Sequence, residues 1–143
     1  MPKKPAKYGL KFFCINCVNT SYLLDCFPYT GKSVENQEKT KECGRKMVET
    51  LSARFYGSNR CIAMDNYFTG VPLAKHLYFN KLMLIGTMRQ NKNEIPESFL
   101  PKKGNEIFSS IFAFDSFITL VSYTPKVIFK YPILILFDVE NKV

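Results

Sequence analysis

The chain is 143 residues long, 46% hydrophobic and 15% aromatic, with 20 Lys and Arg against 12 Asp and Glu for a formal charge of +8. This composition excludes an intrinsically disordered chain, and the length allows one domain with a real core. The basic excess suits a polyanion such as DNA; the alternative is that the charges, grouped only at Lys3-Lys4, Lys39/Lys41, Arg45-Lys46, Arg89/Lys92 and Lys102-Lys103, simply keep the chain soluble.

Tyr8 to Val18 alternates and runs apolar, which predicts a first strand. Asn19-Thr20-Ser21 supplies turn chemistry, and Tyr22 to Tyr29 returns as a second strand. Thr30-Gly31-Lys32-Ser33 breaks the pattern; it is not a phosphate loop, because Cys26 stands where the first Gly is required. Glu38 to Phe55 sets Cys43, Met47, Val48, Leu51 and Phe55 on one side of an amphipathic helix, which ends at Gly57-Ser58-Asn59.

Arg60 to Met64 reads as a short buried strand with Asp65 at its carboxyl end. Thr69 is expected to cap the helix that follows, Val71 to Phe79, where Pro72 fits only the first turn and Val71, Ala74, Leu77 and Tyr78 face inward. Leu82 to Thr87 is wholly apolar, as expected of a strand covered on both sides. Gln90 to Asn105 reads as a loop, Ile107 to Tyr123 as a hairpin turning near Asp115-Ser116, and Ile128 to Val139 as a further strand. That last stretch, interrupted by Lys130 and Pro132, is too short to span a bilayer. The basic opening, Met1 to Lys7, leads into a strand and not a signal core. A nuclear or cytoplasmic, non-secreted and non-membrane protein is therefore expected, with Pro2-Lys3-Lys4-Pro5 only a weak nuclear-targeting patch.

Ligands collect at the carboxyl ends of strands in open α/β sheets, so Asp65 is placed to hold a metal, although an Asp-Asn pair at a strand end is more often only a turn. Asp115 falls in an expected turn, and His76 reads as a surface or half-buried helix residue. Five Cys argue against a tidy disulfide framework. Cys14-x-x-Cys17 has metal-ligand spacing but lies on a strand, and zinc would need two more ligands from Cys26, Cys43, Cys61 or His76. Buried free thiols are the better reading.

Met64-Asp65-Asn66-Tyr67-Phe68-Thr69-Gly70-Val71-Pro72-Leu73-Ala74-Lys75 resembles the second catalytic block of piggyBac-type transposases. Lys7-Tyr8-Gly9-Leu10-Lys11 resembles the opening of that family's catalytic domain, and Tyr22-Leu23-Leu24-Asp25 with Tyr29-Thr30-Gly31-Lys32 its second strand and following turn. Ile85 to Lys92 and Glu94-Ile95-Pro96 resemble the strand and loop after the second Asp. Phe112-Ala113-Phe114-Asp115, Thr119 to Tyr123 and Pro125-Lys126 resemble the β-rich insert. The resemblance implies an α/β fold: an incomplete RNase H-like core, a mixed sheet with helices over 1–92, followed by the start of a β-rich insertion over 93–143. The β-β-α-β-α-β order agrees.

Such transposases cut and rejoin DNA with three Asp that hold two divalent metal ions, Mg²⁺ in the family. The resemblance makes Asp65 the second of these and puts Cys17 where the first stands; the third belongs to a downstream motif not reached by Val143. A thiol is a soft and poor Mg²⁺ ligand, and Asp25 lies on the return strand, many residues from the position it would need to fill. The expectation is therefore a truncated, catalytically inactive transposable-element-derived protein with a vestigial metal residue at Asp65 and no cofactor of its own. Weak, non-specific DNA binding is expected, and exposed apolar sheet surface would favour self-association. Two alternatives are a domesticated DNA- or protein-binding module and an active metal-dependent nuclease completed by another chain.

Overall fold

Alternation between solvent and core shapes the first of two compact units, residues 1–54 and 55–143. The computed structural model describes residues 9–29, 40–100, 106–124 and 133–136, and each unit is taken by itself. In the first, β1 (Lys11–Asn16) pairs antiparallel with β2 (Leu23–Tyr29), from Lys11 opposite Tyr29 to Ile15 opposite Asp25, with the register shifting before Asn16. Phe13 points inward and is buried, its ring edge-on to Tyr29 at 5.8 Å, while Phe12 and Cys14 on the other face are exposed. Helix α1 (Thr40–Ser52) packs on this ribbon with Leu51 buried and Met47 and Val48 half-buried, as its periodicity predicts. Arg54, just past α1, donates from Nη1 to the Leu24 carbonyl at 3.1 Å and pairs with Asp25 at 3.5 Å, tying the helix end to β2.

The second unit is built on a β-α-β step. Strands β3 (Cys61–Met64) and β4 (Met83–Met88) are parallel, in register from Cys61 opposite Met83 to Met64 opposite Gly86, and helix α2 (Val71–Phe79) connects them. The sheet continues through β5 (Ser110–Asp115), β6 (Ile118–Tyr123) and β7 (Ile133–Leu136) in the order β3-β4-β7-β6-β5, with β4–β7, β7–β6 and β6–β5 antiparallel. The chain is thus mixed α/β. The strand after α2 differs from expectation: Leu84, Gly86 and Met88 are buried, but Met83, Ile85 and Thr87 on the other face are only half-buried.

Helix α2 buries Leu73, Ala74 and Leu77, whereas Val71 and Tyr78, also expected inward, are half-buried. Each fully buried Leu is worth about 1.5–3 kcal/mol, so Leu73, Leu77, Leu82 and Leu84 form the energetic centre of this unit. The stretch expected as a loop contains a single helical turn at Glu97–Phe99, with Ile95 and Phe99 buried; Ser122 Oγ donates to the Phe99 carbonyl at 2.8 Å and fastens it to β6. The β5–β6 turn docks on the end of α2, where the Phe117 ring stacks on Tyr78 at 4.5 Å. Strand β5 leaves Ile111, Phe112 and Phe114 exposed, the last at 74%.

Several sequence features lie outside the described residues: Lys7 and Tyr8, the Thr30-Gly31-Lys32-Ser33 break, Lys3-Lys4, Lys39, Lys102-Lys103, Pro125-Lys126, and the Ile128 to Val139 strand apart from 133–136. No described helix is long and apolar enough to cross a membrane.

Candidate functional site at the Asp65 strand end

Four apolar residues bring β3 to its carboxyl end, where the chain turns through Asp65 into α2. The turn is closed by one acceptor: the Asp65 carbonyl takes the N–H of Phe68 at 3.0 Å, the N–H of Thr69 at 3.2 Å and the Thr69 hydroxyl at 3.0 Å. One carboxylate oxygen of Asp65 accepts the Asn66 N–H at 2.7 Å, an Asx-type contact, and the residue remains exposed. Thr69 is 0% exposed and lies over Gly86, opposite Met64 on the neighbouring strand. A Cβ on Gly86 would overlap Thr69 Oγ1 and stand 2.6 Å from the Met64 carbonyl, so only glycine fits here.

This geometry corrects the expected cap. The residue capping α2 is Gly70, in extended conformation and without a side-chain cap bond, and Pro72 does sit in the first turn. Thr69 precedes the cap, and its hydroxyl turns back to the Asp65 carbonyl instead of forward to the helix. Gly86 is the residue that sequence reading missed, and Thr69 is one it read in a different role. A Gly inside an otherwise apolar strand was the available signal for a close approach.

Two cations border the turn. Arg89 donates from Nε to Asn66 Oδ1 at 3.0 Å, and its guanidinium lies 5.4 Å from the Tyr67 ring centre. Lys92 Nζ lies against Gly70, 3.3 Å from where a Cβ would be.

The Cys17 position lies just after β1. Its N–H donates to the Tyr22 carbonyl at 2.8 Å and its carbonyl accepts from Ser21 N–H at 2.8 Å, closing the hairpin loop with Ser21 in the left-handed region. Cys17 is half-buried. Asp25 is occupied elsewhere: it accepts the Cys26 N–H at 2.8 Å and pairs with Arg54.

Asp115 is a turn residue, as expected. It accepts the Ser116 N–H at 2.8 Å and meets Lys75 Nζ at 3.2 Å; the Ser116 bond first, then Lys75, hold its carboxyl below the usual carboxylate range. His76 is half-buried, with Nε2 3.1 Å from the Tyr56 hydroxyl. The thiols depart from expectation. Cys14, Cys26 and Cys61 are exposed, because β alternation turns Phe13 inward and Cys14 outward and because Cys61 opens a strand with only one neighbour among the described residues. Partial burial of the Cys61 sulfur still pushes that thiol up. The Cys43 side chain lies outside the described residues.

The donors at the strand end therefore comprise one exposed carboxylate and one amide oxygen already taken by Arg89. Among the described residues no three His, Cys, Asp or Glu side chains gather as a metal set. Asp65 supplies one carboxylate of the hard-oxygen kind that Mg²⁺ prefers.

A family model described as Transposase IS4 matches residues 1–132. A solved structure, the cryo-EM structure of piggyBac transposase synaptic complex with hairpin DNA, is similar at a TM-score of 0.85 with 37% identity. The similarity covers 100% of this chain and 30% of that one.

Proposed function

Because the chain belongs to the piggyBac-type transposase family, we propose that it is a transposable-element-derived part of the catalytic domain that keeps the second Asp at Asp65, carries Cys17 at the first position and, as it stands, neither cuts nor joins DNA. In this reading residues 1–92 correspond to part of an RNase H-like core and 93–143 to the start of the β-rich insertion, and the protein is nuclear or cytoplasmic. The observation that carries it is an exposed Asp65 on a hydrogen-bonded turn at the end of a parallel strand, beside the resemblance that assigns Cys17 to the first position. The solved relative is a complex with DNA. Net charge of +8 and the Arg89, Lys92 and Tyr67 side chains around the turn support weak, non-specific contact of this chain with DNA phosphates. The exposed Phe112 and Phe114 support self-association.

The test compares the natural chain with Asp65→Ala. Mg²⁺-dependent nicking of supercoiled DNA and the Mg²⁺-induced rise in unfolding temperature are measured. The natural chain is expected to show neither. Nicking by the natural chain that Asp65→Ala abolishes would overturn the inactive reading.

A further inference from the structure

The register of the β1–β2 ribbon places two of the five cysteines directly opposite each other: Cys14 on β1 faces Cys26 on β2. Both are exposed and neither is in a disulfide. Opposite residues of an antiparallel pair put their side chains on the same face, with Cα atoms about 4.5 or 5.5 Å apart according to the kind of pair. Disulfides bridge Cα separations of about 4.4–6.8 Å, so either kind of pair meets the requirement without backbone movement. We infer that Cys14 and Cys26 form a reversible cross-strand dithiol–disulfide pair, oxidised by a low-molecular-weight disulfide of the glutathione type.

The exchange balances. The thiolate of one cysteine attacks a sulfur of the oxidant, forming a mixed disulfide and releasing one small thiolate. The second cysteine's thiolate attacks the protein sulfur of that mixed disulfide and expels the other small thiolate. Two protein S–H groups give up two protons and two electrons, one protein S–S bond forms, and one small disulfide becomes two thiols. Solvent access on the outer face of the ribbon admits the oxidant to both positions.

Cys17, the third thiol on this hairpin, is beyond the end of β1, where its backbone bonds to Tyr22 and not to Cys26. The bridge therefore joins Cys14 to Cys26 and closes the 15–25 segment that contains Cys17 into a covalent loop. Oxidation fixes the conformation of the first strand end, and reduction releases it. This inference rests on strand register and is independent of whether the chain cuts DNA.

The test equilibrates the reduced 143-residue chain in buffers of graded reduced and oxidised glutathione, traps free thiols by alkylation, and reads intact mass and peptide maps. Trypsin leaves all three hairpin thiols in one peptide, since no Lys or Arg lies between Phe12 and Gly31, so chymotrypsin is used to cut between Cys17 and Cys26 at Tyr22. The expected product is monomeric and lighter by two hydrogens, with the Cys14 and Cys26 peptides joined and dithiothreitol restoring the reduced mass. The link should persist in Cys17→Ser, Cys43→Ser and Cys61→Ser and vanish in Cys14→Ser and Cys26→Ser. A link surviving Cys14→Ser, or only glutathione adducts or intermolecular dimers, would overturn the assignment.

Discussion

Two strand ends of this chain, the Asp65 turn after β3 and the Cys17 loop after β1, are built in different ways. At Asp65 one carbonyl collects three donors, one of them a hydroxyl with no solvent exposure, and a strand glycine makes room for it. At Cys17 backbone bonds to Tyr22 and Ser21 close an outlying loop in which Val18 is 85% exposed. The Cys17 loop is closed by backbone bonds around a half-buried thiol, whereas the Asp65 turn is bound into the core beneath it.

The largest effect should come from filling the space under Thr69. Gly86→Ala places a methyl group against the Oγ1 of the fully buried Thr69 and against the Met64 carbonyl. Overpacking of this kind costs about 1–3 kcal/mol, read as a lower urea midpoint at unchanged slope. Amide exchange of Phe68 and Thr69 should accelerate, since both bond to the Asp65 carbonyl that would have to shift. Unchanged exchange there would break the claim that Gly86 supports the turn.

Next is the hydroxyl itself. Thr69→Val keeps the shape and removes the donor to the Asp65 carbonyl, which still accepts from two N–H groups. A cost of about 1 kcal/mol is expected in the same urea measurement, smaller than for Gly86→Ala because no atom is displaced.

Much of this architecture was readable in the residues. Val71 to Phe79 was placed as the helix that forms, since Pro72 marks a first turn and Ala74 and Leu77 mark a buried face. The hairpin around Asp115-Ser116 and the paired strands of the first unit followed from alternation. The family resemblance, carried mainly by the Met64 to Lys75 block, anticipated what the comparisons found. Tertiary proximity was less legible. Thr69 has the chemistry of a cap, and only the closeness of Gly86 decides that its hydroxyl turns back instead. The exposure of the thiols depended on which face of the ribbon α1 covers, and the Cys14–Cys26 pairing on a register that spacing along the chain does not reveal.

The smallest effect belongs to the carboxylate that is tied down without being supported from below. Asp115 is exposed, and its folded pKa is lowered by the Ser116 N–H and then by Lys75. A lowered folded pKa means that the charged form is favoured in the native state. The associated stability is present above the unfolded carboxylate pKa of about 3.9 and is lost as pH falls through the lower folded value. The wild-type chain should therefore lose this contribution only on the acid side of the ordinary carboxylate range, and Asp115→Asn should be slightly less stable than the wild type near neutrality, the two chains converging as pH falls through the acid limb. Urea midpoints of both chains across the acid limb check this. Because the Lys75 pair is open to water, added salt should shrink the difference further. A difference that survives high salt would mean that the Ser116 bond, and not the ion pair, carries the effect, which is the order in which the two act on the carboxyl.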